Sequence, residues 1–253
     1  MSNFNAYSKY YDLIYNNKDY SFEVDYVISL FKKYGSNINN VLELGSGTGN
    51  HANYFTSKKY NITGIERSQE MVLLSNEKRI NGFNAINGDI SNTFLDTKFD
   101  AVISLFHVIS YLTENDSILN CFKITNKHLE VGGLFIFDAW YTPAVLTQQP
   151  SNKIKKLEDE FIKVVRIAEP ISDHTKNTID VNFSIFITNK LNSSTELIVE
   201  SHNMRHFSIG EIQLLCNLSG FELIQSEEFL SANKPDNNSW GVCFVLRKIK
   251  NNE

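Results

Sequence analysis

The run Val41-Leu42-Glu43-Leu44-Gly45-Ser46-Gly47-Thr48-Gly49 constrains the fold of this chain more than any other segment. A short apolar stretch leads into three glycines at alternate positions, and His51–Ser57 then reads as the start of a helix. Glycine reaches positive φ without the clash a Cβ would cause, and it lets a ligand approach the backbone. A helix that opens after such a turn presents unpaired N–H groups and the positive end of its dipole. The segment therefore predicts a strand, a tight turn and a helix built around a ligand. Its spacing is Gly-x-Gly-x-Gly. The dinucleotide turn is Gly-x-Gly-x-x-Gly, whose last position here is Asn50, and no Gly-Lys-Ser/Thr is present, which excludes a nucleoside triphosphate loop.

The surrounding pattern alternates. Val24, Val27, Ile28 and Phe31 fall at helical spacing in the first 34 residues, and Gly35 with the polar run after it ends that helix. Ile62–Ile65 is a second strand, Ser68 caps a helix carrying Met71 and Leu74, and Phe83–Ile86 is a weak third strand. Asp100–Leu105 is a fourth strand, Asn115–Leu129 a helix, and Leu134–Phe137 a fifth strand after the Gly132-Gly133 break. Strands alternating with helices imply a parallel sheet with right-handed crossovers. The rhythm changes near Pro143. From about Lys163 to Phe207 the segments are short and alternate as half-buried strands, which predicts about three inserted antiparallel strands. Ser208 then caps the helix Ile209–Leu218, and Phe221–Phe229 and Trp240–Arg247 are two final strands.

Composition narrows the partners. The 253 residues carry 24 Lys and Arg against 29 Asp and Glu, a formal net charge of −5. That balance argues against a protein that coats nucleic acid, since phosphate binding needs surplus cations. No stretch approaches the roughly 20 apolar residues of a membrane span, and the start lacks the apolar core of a signal peptide. Cys121, Cys216 and Cys243 are odd in number and widely spaced, which reads as buried free thiols in a reducing compartment and hence a cytoplasmic chain.

Three acids bear on the ligand. Glu43 lies just before the glycine turn, Glu66 ends the second strand, and Asp89 follows Gly88 after the third. A carboxylate at Glu66 can accept both hydroxyls of a ribose, and one at Asp89 can accept from an adenine amino group. A ligand with ribose and adenine but no phosphate tolerates this lining; a pyrophosphate would be repelled.

The ordered set of the glycine turn, Glu66 after Ile62-Thr63-Gly64-Ile65, Gly88-Asp89-Ile90, the strand Phe99–Leu105 and the Gly132-Gly133 step resembles the class I S-adenosylmethionine-dependent methyltransferases. The likeness covers about residues 1–145 and resumes over the last helix and two strands. It implies an α/β fold: a Rossmann-like, seven-stranded, mostly parallel sheet whose last strand is antiparallel. An N-terminal helical cap (1–35) and a small inserted antiparallel β-sheet complete the expectation. In domain terms that is a cofactor-binding domain of residues 1–149 and 207–253, with an acceptor-side insertion at 150–206. By position, Gly45, Gly47 and Gly49 would line S-adenosylmethionine, Glu66 would hold its ribose, and Asp89 with the Ile90 backbone would read its adenine. Arg67 and Met71 would flank the ring, and Leu105 would face the methionyl end.

The N-terminus, Tyr10-Tyr11-Asp12-Leu13-Ile14-Tyr15 with Lys18-Asp19-Tyr20, is similar to the opening of the bacterial amino-sugar N-methyltransferases, as is Asp138-Ala139-Trp140-Tyr141-Thr142-Pro143. That resemblance implies Tyr11 at the reacting centre, Lys18 or Tyr20 at the cofactor carboxylate, and a homodimer. It also implies Phe106, Trp140 and Tyr141 on the acceptor, a small molecule such as a nucleotide-diphosphate amino sugar; read from its guanidinium alone, Arg205 is a candidate to bind the diphosphate bidentately. Residues 150–200 match no segment of that group.

Methyl transfer from a sulfonium is an in-line displacement, and an amine must lose its proton before it attacks. His107, on the loop after the fourth strand, is the histidine best placed to touch substrate and act as base. His51 and His128 read as packed residues and His174 as solvated. His202 and His206 share a strand face with Met204, but no third ligand stands at a suitable spacing, so no metal is expected. The alternatives are an O-methyltransferase or glycine-type N-methyltransferase, and, in another class, a non-catalytic cofactor-binding partner subunit.

Overall fold

The computed structural model describes Leu13 and residues 18–251. These residues fall into two compact units. One comprises Tyr20–Gln148 together with the chain from Arg205 onward; the other is built on Gln149–Met204, with Lys18 and Asp19.

The first unit begins with α1 (Tyr20–Tyr34) and β1 (Asn40–Leu44), followed by α2 (Asn50–Ser57), β2 (Asn61–Glu66), α3 (Gln69–Glu77), β3 (Phe83–Asn87) and β4 (Phe99–Ser104). A single 3-10 turn, Val108–Tyr111, leads to α4 (Asn115–His128), β5 (Leu129–Tyr141) and α5 (Thr142–Gln148). After the second unit the chain returns through α6 (Ile209–Ser219), β10 (Phe221–Glu228) and β11 (Gly241–Lys248). The strands run β3-β2-β1-β4-β5-β11-β10, parallel through β5, with β11 antiparallel to both of its neighbours. The antiparallel last strand expected at Trp240–Arg247 is therefore present as β11.

Local chemistry explains the boundaries. The Gly35 amide donates to Phe31 O at 2.8 Å and closes α1. Ser68 Oγ accepts the Met71 amide at 3.3 Å, and Ser208 Oγ accepts the Glu211 amide at 3.2 Å, so both expected N-caps form. Gly220, at φ 73°, ends α6 in the left-handed conformation. Alternation along the central strands feeds two cores. Leu134 and Ile136 of β5 pack with Val24, Val27 and Phe31 of α1 on one face. Phe135 and Phe137 pack with Phe122 of α4 and Ile212 of α6 on the other. Each such side chain contributes roughly 1.5–3 kcal/mol by leaving water. The three cysteines are free and buried, and burial pushes the Cys121 and Cys216 thiols up to about 12. Those thiols are inert in this fold.

The order of the sheet switches direction between β1 and β4, the position where open α/β sheets leave a crevice at the carboxyl ends of their strands. The glycine turn, Glu66, Asp89, His107 and Asp138 all follow or end strands on that edge.

The second unit is an antiparallel sheet of β6 (Lys153–Glu158), β7 (Ile162–Asp173), β8 (Thr178–Asn189) and β9 (Thr195–Phe207). Where about three strands were expected, from about Lys163 to Phe207, the described residues form β7, β8 and β9, and Lys153–Glu158 adds a fourth strand before that range. It pairs with β7 alone, and five of its six residues are exposed, so it carries no apolar alternation. Ile162, Val164, Ile185 and Ile187 form a separate core with Leu13 packed against it. The last three residues of β9 belong to the first unit, where His206 and Phe207 pair in parallel with Trp140 and Tyr141. Among the described residues no helix is long and apolar enough to cross a membrane.

Candidate functional site

The turn after β1 is left-handed at each expected glycine: φ is 74° at Gly45, 55° at Gly47 and 76° at Gly49. The three differ in their surroundings. A Cβ on Gly45 would stand 2.5 Å from Val108 Cγ1, and one on Gly49 would stand 2.7 Å from the Phe83 ring. A Cβ on Gly47 would meet nothing within 4 Å. Gly45 and Gly49 are thus glycines for packing, while Gly47 leaves open space over the turn. Lys78, at the end of α3, secures the turn from below: its Nζ donates to Thr48 O at 2.8 Å and to Asn50 Oδ1 at 2.7 Å. The sequence carries no local sign of that contact, which spans about thirty positions.

Glu66 ends β2 with one oxygen accepting the Gly47 amide at 3.0 Å and the other accepting the Ser68 amide at 2.8 Å. Each oxygen keeps a second lone pair. Asp89 Oδ1 takes the Ser91 amide and hydroxyl at 2.8 and 2.6 Å. Partial burial opposes ionisation there, but the two Ser91 hydrogen bonds and the Arg67 charge outweigh it and hold the carboxyl below its usual range. Ile90 packs against the core beside it. Met71 lies half-buried in the first turn of α3, and Arg67 is exposed at the end of β2.

Behind the turn sits a buried ionic cluster. His51 Nε2 is 2.7 Å from Glu23 Oε2 on α1, and Nδ1 is 3.3 Å from Glu43 Oε1 on β1. Burial disfavours the charged ring, but the two carboxylates outweigh that and raise its pKa above the ordinary value. Glu43 is 1% exposed, and its Oε2 has no hydrogen-bond partner among the described residues. The Tyr20 ring stands edge-on to His51 at 5.0 Å. The packed role expected for His51 takes this ion-paired form.

The loop after β4 forms the other wall. Phe106 and His107 are both left-handed, at φ 69° and 59°. Phe106 is 38% exposed and stacks on the His107 ring at 6.2 Å between centroids. Trp140, at the end of β5, meets His107 edge-on at 6.3 Å and Trp240 edge-on at 6.1 Å. Asp138 is buried on β5, and His107 Nδ1 stands 2.7 Å from its Oδ2, close but out of line for a hydrogen bond. In the sequence Asp138 stands out only as part of an aromatic segment; its contact with His107 joins the ends of two strands.

Several expected residues fall elsewhere. Leu105 is 2% exposed with its side chain in the core, so its side chain does not face a ligand. Tyr141 is likewise packed into the core, which withdraws its ring from the acceptor side. Arg205 is corrected from an acceptor ligand to a framework residue. Its guanidinium pairs with Glu211, donates to Thr113 O at 3.2 Å and Asn115 Oδ1 at 2.8 Å, and lies over Phe207. His206 Nδ1 bonds Thr142 Oγ1 at 2.8 Å, and His202 faces Glu200 at 3.3 Å. His128 Nε2 accepts the Leu95 amide at 2.8 Å, and burial pushes its pKa down to about 4. Tyr11 and the segment around it lie outside the described residues.

Known proteins resemble this chain in sequence and in fold. Residues 41–133 match the model of a methyltransferase domain. The chain is 26% identical over 178 residues to dTDP-3-amino-3,4,6-trideoxy-alpha-D-glucopyranose N,N-dimethyltransferase of Streptomyces venezuelae, covering 69% of this chain and 74% of that protein. It is 24% identical over 135 residues to dTDP-4-amino-2,3,4,6-tetradeoxy-D-glucose N,N-dimethyltransferase of Saccharopolyspora spinosa, covering 53% and 54%. Among solved structures, an S-adenosylmethionine-dependent methyltransferase from Clostridium acetobutylicum superposes with a TM-score of 0.82 at 22% identity, covering 98% of this chain and 100% of that one.

Proposed function

Since the chain carries a methyltransferase domain and has the fold of the S-adenosylmethionine-dependent methyltransferases, we propose that it methylates the amino group of a nucleotide-linked deoxy sugar. The observation that carries the donor is the open glycine turn flanked by three carboxylates. Gly47 leaves space for a ligand, Glu66 and Asp89 present acceptors for ribose hydroxyls and an adenine amino group, and Glu43 keeps a buried oxygen with no hydrogen-bond partner among the described residues. A buried acceptor without a donor costs roughly 1–3 kcal/mol, and a ligand ammonium would relieve it. These groups fit S-adenosylmethionine and do not fit a pyrophosphate. The acceptor reading is supported by the names of the two curated relatives.

When bound, S-adenosylmethionine supplies a methyl carbon whose bond to sulfur breaks with the electron pair left on sulfur, as the acceptor's lone pair makes the new bond. The chain's own residues prepare the acceptor. Phe106 and Trp140 lie against His107, and Trp240 packs edge-on behind Trp140. His107 takes the proton that an ammonium must lose before its lone pair is available. Alignment of the two reactants supplies several kcal/mol more.

A second reading, O-methylation, is favoured by one observation: the His107–Asp138 contact of 2.7 Å is the base arrangement a hydroxyl requires. Both are tested by incubating the protein with S-adenosylmethionine and dTDP-3-amino or dTDP-4-amino deoxy sugars and their hydroxy counterparts, read by mass. A gain of one or two methyl groups on the amino sugars alone supports N-methylation. A gain on the hydroxy sugars supports the second reading, and a gain on neither removes the nucleotide-sugar acceptor.

A further inference from the structure

Two consecutive non-glycine residues in the left-handed region, Phe106 and His107, are strained and persist only where the surroundings enforce them. Asp138 restrains the second of them. Both of its oxygens lie 3.2 Å from the His107 backbone nitrogen, and Oδ2 lies 2.7 Å from Nδ1 of the same residue. A carboxylate needed only to satisfy a backbone amide would have no reason to reach the ring as well. Gly241 completes the arrangement: a Cβ there would stand 3.2 Å from His107 Cε1, so this position leaves room for the imidazole. The Nδ1 contact is short but out of line, as hydrogen bonds in ligand-free sites often are before the complex tightens them.

We infer that Asp138 is a positioning residue that fixes the proton of neutral His107 on Nδ1, leaving Nε2 as the basic nitrogen toward the acceptor. A charged carboxylate beside one ring nitrogen stabilises the tautomer protonated there and the imidazolium formed after proton transfer. The acceptor then arrives still carrying its proton. An ammonium N–H bond breaks toward Nε2, the freed pair stays on the amine nitrogen, and the resulting imidazolium is stabilised by Asp138. This rests on the methyltransferase reading, but the tautomer can be tested without any acceptor.

The experiment is a long-range proton–nitrogen correlation spectrum of protein labelled at histidine nitrogen, at a pH where the ring is neutral. The wild type should show His107 protonated on Nδ1, and Asp138→Asn should move the proton to Nε2. With a dTDP-amino sugar as probe, Asp138→Asn and His107→Gln should each lower kcat by about 10²–10⁴-fold. The double variant should be no worse than the poorer single one, and S-adenosylhomocysteine affinity should not change. Gly241→Ala, which displaces the ring and keeps the carboxylate, should also lower kcat and serves if Asp138→Asn does not fold. An Nε2-protonated wild type, an unmoved tautomer in Asp138→Asn, or additive losses in the double variant would overturn the inference. Absence of transfer to the probe, with the tautomers as stated, counts against the acceptor and leaves the role of Asp138 standing.

Discussion

Glu66 Oε2 accepts the Gly47 amide at 3.0 Å, joining the end of β2 to the turn after β1 across 19 positions. The same carboxylate takes the first amide of the α3 cap through its other oxygen. One side chain therefore shapes the turn and also presents lone pairs to whatever occupies it.

Replacing Glu66 by Ala should weaken S-adenosylhomocysteine binding by about 1.5–3 kcal/mol, the cost of losing hydrogen bonds to a charged group. That is roughly 10- to 150-fold in Kd, measured by titration calorimetry. Glu66→Gln keeps one acceptor oxygen and should lose less. Unchanged affinity in Glu66→Ala would take this residue out of the site.

The three glycines of the turn separate packing from binding. Gly45→Ala places a methyl 2.5 Å from Val108 and forces a left-handed alanine, so it should lower unfolding stability by about 2–4 kcal/mol. Gly47→Ala carries only the backbone cost, about 1–2 kcal/mol, but fills the open side of the turn. Denaturant unfolding should rank Gly45→Ala as the less stable. Calorimetry should show Gly47→Ala as a folded protein with impaired S-adenosylhomocysteine binding. Wild-type affinity in Gly47→Ala would mean that no ligand passes over that residue.

Two buried histidines tilt stability with pH in opposite directions. His51 has a raised pKa in the fold, so its contribution is full below the unfolded value of 6.5 and is lost as pH rises through the folded value. His128 has its pKa pushed down to about 4, so its contribution is present above 6.5 and is lost as pH falls toward 4. Thermal melts across this range should show Tm falling on both sides. His51→Gln should flatten the alkaline limb and His128→Asn the acid limb. A His51→Gln curve parallel to wild type above pH 6.5 would contradict the ion-paired cluster with Glu23 and Glu43.

The parts of the fold legible in the sequence are those set by local chemistry. The glycine turn, the Ser68 and Ser208 caps, the left-handed Gly220 and the alternation of the central strands are written within a few residues of where they act. The helix Thr142–Gln148 was hidden because Pro143 suggested a break, yet proline fits the first turn of a helix, where its missing N–H is not needed. The strand Lys153–Glu158 was hidden because it pairs on one side only and stays exposed. The pairings His51–Glu23, His107–Asp138 and Lys78–Thr48 are illegible in the sequence because each joins two elements about thirty positions apart. Arg205 was misread for a different reason: alternation assigns one face of a strand to solvent, and the segment Met204–Phe207 is buried on both.

Arg205 tests that correction. Arg205→Met removes a cation that pairs with Glu211 and donates to Asn115, and charge-assisted bonds of this kind contribute about 1.5–3 kcal/mol each. The variant should lose about 2–4 kcal/mol of unfolding stability. Its KM for a dTDP-amino sugar should stay at the wild-type value. A large rise in KM without loss of stability would return Arg205 to the acceptor.

The most direct test of the donor site is calorimetric titration of the full chain with S-adenosylhomocysteine, with NAD as the control. The carboxylate-lined glycine turn should bind S-adenosylhomocysteine, which has no phosphate, with micromolar affinity and leave NAD unbound, because the pyrophosphate of NAD would meet Glu43, Glu66 and Asp89 together. Heat from NAD, or from neither compound, would contradict the assignment of this turn to S-adenosylmethionine.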